Sequence, residues 1–145
     1  MKTTDPPIVV EQFIKASREE LWAAITDRSQ MIQWYFENIP EFEDEVGFQT
    51  SFPVYSEDRI FTHIWKITQV IPMKKIGYEW TYKEYPGKGL VTFEIQGEDE
   101  ALTLRLTNTV REDFPQDIPE FKRKSCIDGW NYFIQQRLKE YFANL

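Results

Sequence analysis

Five successive segments of the chain alternate large apolar side chains with polar or small ones, and this pattern restricts the fold more than any other feature. The segments cover residues 46–52, 61–68, 76–83, 91–96 and 102–107. Because neighbouring side chains of a β-strand point to opposite faces, each segment predicts a strand with one buried face. Short turn signals at 71–74, 85–88 and 97–100 favour antiparallel neighbours. The sequence therefore predicts an antiparallel meander.

Segments with helical spacing lie on both sides of the meander. Ser17 and Glu20 have capping-box spacing and predict a helix over about 17–27, and a short helix over about 30–35 follows. Towards the C-terminus, apolar residues recur every three or four positions and predict one long amphipathic helix over about 118–143. An amphipathic helix of this length must pack along an apolar surface, and the inner face of the sheet is the only one large enough.

The predicted fold class is α+β, in the order β-α-α, meander, long helix, with a first strand at 8–15. A chain of 145 residues without a linker rich in Gly, Ser or Pro predicts one domain, residues 1–145. Such a domain is large enough to bury a core without a disulfide or a metal.

Composition excludes several function classes. There are 17 basic and 24 acidic side chains, and the net charge of −7 disfavours nucleic acid and anionic membranes as partners. One cysteine excludes an internal disulfide and a multi-cysteine zinc site. No stretch is apolar enough for a signal peptide or a membrane span, so we expect a cytoplasmic protein. The motifs of common enzyme classes are missing, and neither a catalytic residue nor a cofactor or metal site is predicted.

Aromatic residues make up 16% of the chain and concentrate on the predicted inner face. They allow two interpretations: the walls of a pocket of several hundred cubic ångströms, or a fully packed core. In the first interpretation a ligand or a trapped water satisfies the buried polar tips of the tyrosines and tryptophans. The candidate ligand-binding residues are Phe48, Phe52, Phe61, His63, Trp65, Tyr78, Trp80, Tyr82, Phe93, Trp130 and Phe133.

Three other polar features of the sequence could take part in binding or catalysis. His63, the only histidine, is open to three interpretations: a buried structural residue, a hydrogen-bonding partner of a ligand, or an acid–base group. Cys126 is expected to be a quiet thiol, with a pKa lowered slightly by the basic residues 122–124 before it. The acidic run Glu41–Glu45 is a solvated loop or a recognition patch for a basic partner.

The order of elements and several local segments resemble the START/Bet v 1-like (SRPBCC) helix-grip superfamily, and most closely its Hsp90 ATPase activator homologue 1-like branch. The segments that carry the resemblance are Glu20–Asp27, Met31–Phe36, Gly47–Phe52, Ile67–Pro72, Ile76–Trp80 and Gly129-Trp130. The resemblance implies a curved antiparallel sheet wrapped around the C-terminal helix, with a cavity between them. The branch name implies an Hsp90 partner.

Two functions are therefore expected from different classes. The first is binding of a small apolar or aromatic ligand in a cavity between the sheet and the last helix, with an opening near the 53–60 and 84–89 loops. The second is a co-chaperone-like protein-interaction module without a ligand. An enzyme would need titratable groups that converge in the pocket, and the sequence does not clearly show them.

Overall fold

The computed structural model describes residues Met1–Leu145 and contains one six-stranded sheet in the order β1-β6-β5-β4-β3-β2. All neighbouring strands are antiparallel. The C-terminal helix α3 has three consecutive parts, Arg123–Trp130, Asn131–Leu138 and Lys139–Ala143. The remaining elements are β1 (Ile8–Ile14), α1 (Arg18–Thr26), α2 (Arg28–Trp34), β2 (Gln49–Ser56), β3 (Arg59–Ile71), β4 (Lys75–Tyr82), β5 (Lys88–Glu98) and β6 (Ala101–Glu112). The predicted α+β class and helix-grip architecture are confirmed.

The first short helix begins where its capping box indicates, and the second begins at Arg28, two residues before the predicted start near 30. The Ser17 side chain accepts from the Glu20 amide, and the Glu20 side chain accepts from the Ser17 amide, so the capping box is complete. The Trp34 indole N–H donates to the Ala24 carbonyl at 2.8 Å, which ties α2 to α1. These contacts place the C-terminal end of α2 against the sheet.

The segment 46–52 was predicted as a strand, but β2 begins only at Gln49. Gly47 has a φ of +95°, which breaks the extended conformation before Phe48. Val46 is 65% exposed, whereas Phe48 is half-buried beside Phe42. The alternating segment therefore includes a turn before Gln49, and only the part from Gln49 onward forms a strand.

The predicted helix over 118–143 is interrupted near its start. Pro119–Phe121 form a single 3₁₀ turn, and Lys122 is extended, so α3 begins only at Arg123. The buried Phe121 ring packs against Phe114 and Phe61 in a small core of its own, and this packing requires the chain to turn before the helix starts. The middle part of α3 has π-helical geometry, which widens the helix where it crosses the sheet.

The inner face of the sheet, the two short helices and α3 enclose one main core. Trp130 packs edge-on against Trp80 of β4 and Phe93 of β5, with ring centroids 5.5 and 6.0 Å apart. Ile134 and Leu138, one and two turns further along α3, are fully buried in the same core. The long helix therefore lies along the sheet, as its apolar stripe predicts.

Candidate functional site

The centre of the space between sheet and helix is filled by aromatic residues from the end of α2. Tyr35 stacks on Trp34 and on Trp65, with ring centroids 4.7 and 5.2 Å away. Its hydroxyl forms a 3.0 Å hydrogen bond with the Tyr78 hydroxyl, so the two buried polar tips satisfy each other. Phe36 lies next to Trp65 and Trp80, with ring centroids 5.8 and 5.9 Å away. The sequence allows a pocket of several hundred cubic ångströms or a packed core in this region, and these side chains fill its centre.

One pocket remains beside this filled centre, at the end of the sheet where α3 begins. Its volume is about 140 Å³, and nine of its thirteen lining residues are hydrophobic. We call it the aromatic pocket. It is lined by Met1, Phe36, Trp80, Tyr82, Gly89, Asn108, Phe114, Glu120, Phe121, Cys126, Gly129, Trp130 and Phe133.

The structure separates the eleven candidate ligand-binding residues into groups. Four line the aromatic pocket, namely Trp80, Tyr82, Trp130 and Phe133. Phe61 belongs to the small second core, and Phe48 lies outside the strand on which it was expected. The remaining five pack in the filled core and do not line the pocket: Phe52, His63, Trp65, Tyr78 and Phe93.

His63 faces the interior and has the environment of a structural residue. Its ring stacks on Phe52, with centroids 5.3 Å apart, and lies edge-on to Tyr82. Its Nδ1 forms a 2.9 Å hydrogen bond with the Phe61 carbonyl oxygen. Burial lowers the His63 pKa to about 4, although that hydrogen bond opposes the shift, so the ring is neutral at pH 7. It contributes packing and does not line the aromatic pocket.

Two glycines line the pocket, and one of them, Gly129, adjoins open space. Gly129 of α3 lines it, and a Cβ added there would meet no atom within 4 Å. Gly89 of β5 lies opposite Trp80 in the sheet, where a Cβ would come within 3.2 Å of the Asn108 side-chain oxygen. Side chains at both positions are missing from a face that is otherwise densely aromatic.

The pocket wall carries three polar groups with distinct roles. The Trp80 indole N–H is buried without a hydrogen-bond acceptor; the Tyr82 hydroxyl approaches it without forming a hydrogen bond of standard geometry. Asn108 donates through Nδ2 to Cys126 Sγ at 3.4 Å. Burial raises the pKa of the Cys126 thiol to about 11; Arg123 lowers it, as the sequence suggests, but by less than burial raises it. A neutral thiol at physiological pH has little nucleophilic character.

Glu120 carries the only carboxylate among the residues that line the pocket. Burial opposes its ionisation, but the hydroxyl of Ser56, which donates at 2.8 Å, and the nearby Arg59 lower the pKa of Glu120. Both partners come from the β2–β3 hairpin, so this ion pair links the 53–60 region to the start of α3. The pocket therefore lies beside the 84–89 loop and the start of α3, while the 53–60 loop reaches it only through Glu120.

Several lining residues were not among the predicted candidates. Phe36 follows α2 directly, and Phe114 and Phe121 lie between β6 and α3, in segments without a regular period. Asn108 continues the inward positions Leu102, Leu104 and Leu106 of β6, beyond the predicted end of that strand at 107. The apolar alternation ends there, so the pattern alone gave no reason to extend it.

The acidic run Glu41–Glu45 contributes no residue to the pocket lining. The acidic side chains of Glu41–Glu45 are exposed, and only Phe42 among them is buried. No group of three or more His, Cys, Asp or Glu side chains has the arrangement of a metal site. Glu120 is the one carboxylate in the pocket lining, and the amino group of Met1, which donates to the Phe121 carbonyl, is the one basic group there.

Comparison with protein families decides the affiliation. The family model described as "Activator of Hsp90 ATPase homolog 1-like protein" matches residues 15–143. This chain belongs to that family. The resemblance seen in the sequence is thereby confirmed, together with the helix-grip fold that the Activator of Hsp90 ATPase homolog 1-like proteins share.

Solved structures show the same family fold at low sequence identity. The Aha1 dimer from Colwellia psychrerythraea has a TM-score of 0.73 at 19% identity, covering 95% of this chain and 96% of that one. Protein CV1439 from Chromobacterium violaceum has a TM-score of 0.72 at 19% identity, covering 95% of both chains. DynU16, from the dynemicin biosynthetic locus, has a TM-score of 0.72 at 23% identity. The match covers 96% of this chain but only 48% of DynU16, so this chain spans about half the length of that protein.

Two further observations accompany the family assignment. No curated protein matches this family member. None of its helices is both long and apolar enough to cross a membrane. Identities below 25% support a common fold and do not transfer a ligand or partner from the solved structures.

Proposed function

We propose that this protein binds a small apolar or aromatic molecule, about the size of one ring, in the aromatic pocket. The observation that carries the proposal is the open space beside Gly129 within walls that are otherwise aromatic and closely packed. The pocket opens to solvent, so a ligand that covers its apolar walls removes that surface from water. Trp80, Tyr82, Trp130 and Phe133 are the predicted residues that we retain as ligand contacts.

The size of the pocket determines the size of the ligand. A dry engineered cavity of about 150 Å³ in another protein binds benzene, whereas drug-sized ligands need about 300 Å³ or more. The volume of about 140 Å³ therefore fits a single ring. The affinity comes mainly from burial of apolar surface, at about 25 cal/mol per Å² before ordering costs. The family fold, which often binds hydrophobic ligands, supports this proposal.

The test is calorimetric titration of the protein with toluene, compared with a variant in which the pocket is filled. Gly129→Leu places a side chain into open space on a helix, so the folded protein should be at least as stable as wild type. Toluene binding should then fall below detection. Lys139→Leu adds the same side chain at an exposed site on α3 and should leave binding unchanged. Equal binding by wild type and Gly129→Leu, or none by wild type, would contradict the proposal.

A protein-interaction function is the second candidate, and one surface feature favours it. Tyr55 and Ile60 face each other across the β2–β3 hairpin and are 70% and 45% exposed. The acidic residues Glu57 and Asp58 form the adjoining turn, so the surface suits a partner with apolar and basic side chains. The family description makes an Hsp90-type ATPase the first partner to test. Wild type should change the ATPase rate, and the double variant Tyr55→Ser, Ile60→Thr should change it less. Equal effects of the two proteins, or no effect of wild type, would rule out this candidate.

The cellular location follows only from composition. A single cysteine without a disulfide partner in the chain favours a reducing compartment such as the cytoplasm, and this location stays a prediction. Fractionation of cells that produce the full-length protein would test it.

A further inference from the structure

One side chain on the wall of the aromatic pocket restricts the chemistry of the ligand further. We infer that the ligand carries a hydrogen-bond donor on its ring, an N–H or O–H group, which donates to the side-chain oxygen of Asn108. Asn108 is then the residue that selects among rings of suitable size. This inference rests on the proposed function and names the ligand class for the same pocket.

The first argument is the position of the Asn108 side chain. Asn108 occupies an inward position of β6, two residues after the buried Leu106, and lines the aromatic pocket. Its Nδ2 donates to Cys126 Sγ at 3.4 Å. Cys126 lies on α3 three residues before Gly129, where the pocket has its open space. The Asn108 amide therefore lies against the same part of α3 as the space that a ring would fill.

The second argument is that the Asn108 oxygen has no partner and is not enclosed. No N–H or O–H group of the protein donates to Oδ1. The enclosed polar side-chain atoms without a partner are those of Thr50, Trp65 and Trp80. The Asn108 oxygen is not one of them, so it is reached from the pocket that its residue lines. Gly89 leaves it uncovered, because a Cβ at that position would come within 3.2 Å of Oδ1.

The third argument is that the amide is held in one orientation. An asparagine side chain can present either its oxygen or its NH₂ group to a ligand. The hydrogen bond from Nδ2 to Cys126 Sγ directs the NH₂ group of Asn108 towards α3 and leaves the oxygen for the pocket. A ring without a donor would displace water from this oxygen and leave it unsatisfied among apolar walls. Cys126 is therefore a positioning residue, and Asn108 favours ligands that donate.

The experiment compares aniline with toluene, two rings of similar size of which only aniline can donate. Calorimetric titration gives the ratio of the two dissociation constants in wild type and in Asn108→Leu, which removes the oxygen and keeps a side chain of similar size. Because toluene reports changes in the shape of the pocket, the ratio isolates the hydrogen bond. Asn108→Leu should weaken aniline binding about tenfold relative to toluene binding. Asn144→Leu, the same change at an exposed site near the end of the chain, should leave the ratio unchanged.

Two variants of Cys126 test the orientation of the Asn108 amide. Cys126→Ala removes the acceptor of Nδ2, so the amide can turn its NH₂ group towards the pocket, and aniline binding should weaken relative to toluene binding. Cys126→Ser retains an acceptor and should keep the ratio close to that of wild type. Equal ratios in Cys126→Ala and wild type would overturn the positioning role of the thiol.

A crystal structure of the wild-type protein with aniline tests the same contact without a variant. The aniline nitrogen should lie within hydrogen-bond distance of Asn108 Oδ1. A nitrogen that points elsewhere, or an unchanged ratio in Asn108→Leu, would overturn the inferred ligand class. The proposed function would still stand in that case if toluene binds wild type and Gly129→Leu abolishes this binding. If neither ring binds the wild-type protein, the proposed function fails as well.

Discussion

The individual buried side chains show how strongly local environment decides chemical role. His63 and Trp80 are neighbours, with ring centroids 5.2 Å apart, and both are more than nine-tenths buried. The polar atom of His63 has a partner in the Phe61 carbonyl, whereas that of Trp80 has none. The ring nitrogen of His63 is therefore satisfied within the core, whereas the indole nitrogen of Trp80 is enclosed with only the Tyr82 hydroxyl near it.

The lowered pKa of His63 predicts a specific pH dependence of stability. The unfolded chain takes up this proton as the pH falls below about 6.5, whereas the folded protein resists protonation down to about 4. The contribution is therefore complete above pH 6.5 and is lost as the pH falls towards 4. At pH 5 the free energy of unfolding should be about 2 kcal/mol lower than at pH 7.5 on account of this group.

Chemical denaturation at both pH values measures this effect, with His63→Phe as the control. The phenylalanine keeps an aromatic ring in the cluster and cannot take up a proton. Its free energy of unfolding should lack most of the decrease between the two pH values. A decrease of equal size in wild type and variant would assign the pH dependence to the carboxylates instead.

The sequence predicts residue orientation better than residue partners. The alternation in β3 identified the buried face that carries Phe61, His63 and Trp65, and all three are buried. It did not identify what they would touch, because Tyr35 and Phe36 reach the sheet from a different part of the chain. Period and burial are local properties, whereas ring contacts depend on tertiary packing.

The secondary structure elements are held together by a few long-range polar contacts. The Tyr35 and Tyr78 hydroxyls connect the end of α2 to β4 in a fully enclosed environment. Tyr35→Phe should leave the Tyr78 hydroxyl unpaired and lower the free energy of unfolding by about 1–3 kcal/mol. The double variant Tyr35→Phe, Tyr78→Phe should recover part of this loss, because no polar group is then left without a partner. Strictly additive losses in a denaturation cycle would show that the hydroxyls do not interact.

The start of α3 lacks a feature that most helix starts have. Lys122 occupies the N-cap position and provides no side-chain hydrogen bond. Lys122→Ser should add a cap and raise the free energy of unfolding by about 1 kcal/mol. Lys124→Ser, two residues further along the helix, should not stabilise the protein. Thermal denaturation of both variants measures the difference, and equal effects would contradict the assigned start of the helix.

Element boundaries explain the largest errors of the sequence analysis. The amphipathic pattern of the last segment begins at Phe121, but that residue packs in the second core before the helix starts. An apolar side chain at Phe121 is buried either on a helix or in the second core, so the apolar pattern cannot distinguish these two placements. The complete capping box at Ser17, by contrast, marks a start through hydrogen bonds that depend only on nearby residues.

At the scale of the whole molecule, the helix-grip fold was predictable and the size of its cavity was not. Five alternating segments and one long amphipathic helix leave few arrangements that bury both apolar faces. The volume left between them depends on how far Tyr35 and Phe36 project and on missing side chains at Gly89 and Gly129. Such differences of a few atoms turn a large pocket into a small one without changing the pattern of the sequence.

The most direct test of the account is a crystal structure of the protein grown with toluene. We predict density for one ring in the aromatic pocket beside Gly129, between Trp130 and Phe133. Density for the ring at another position, or an empty aromatic pocket at a toluene concentration that saturates the protein in solution, would contradict the assignment of this pocket as the binding site.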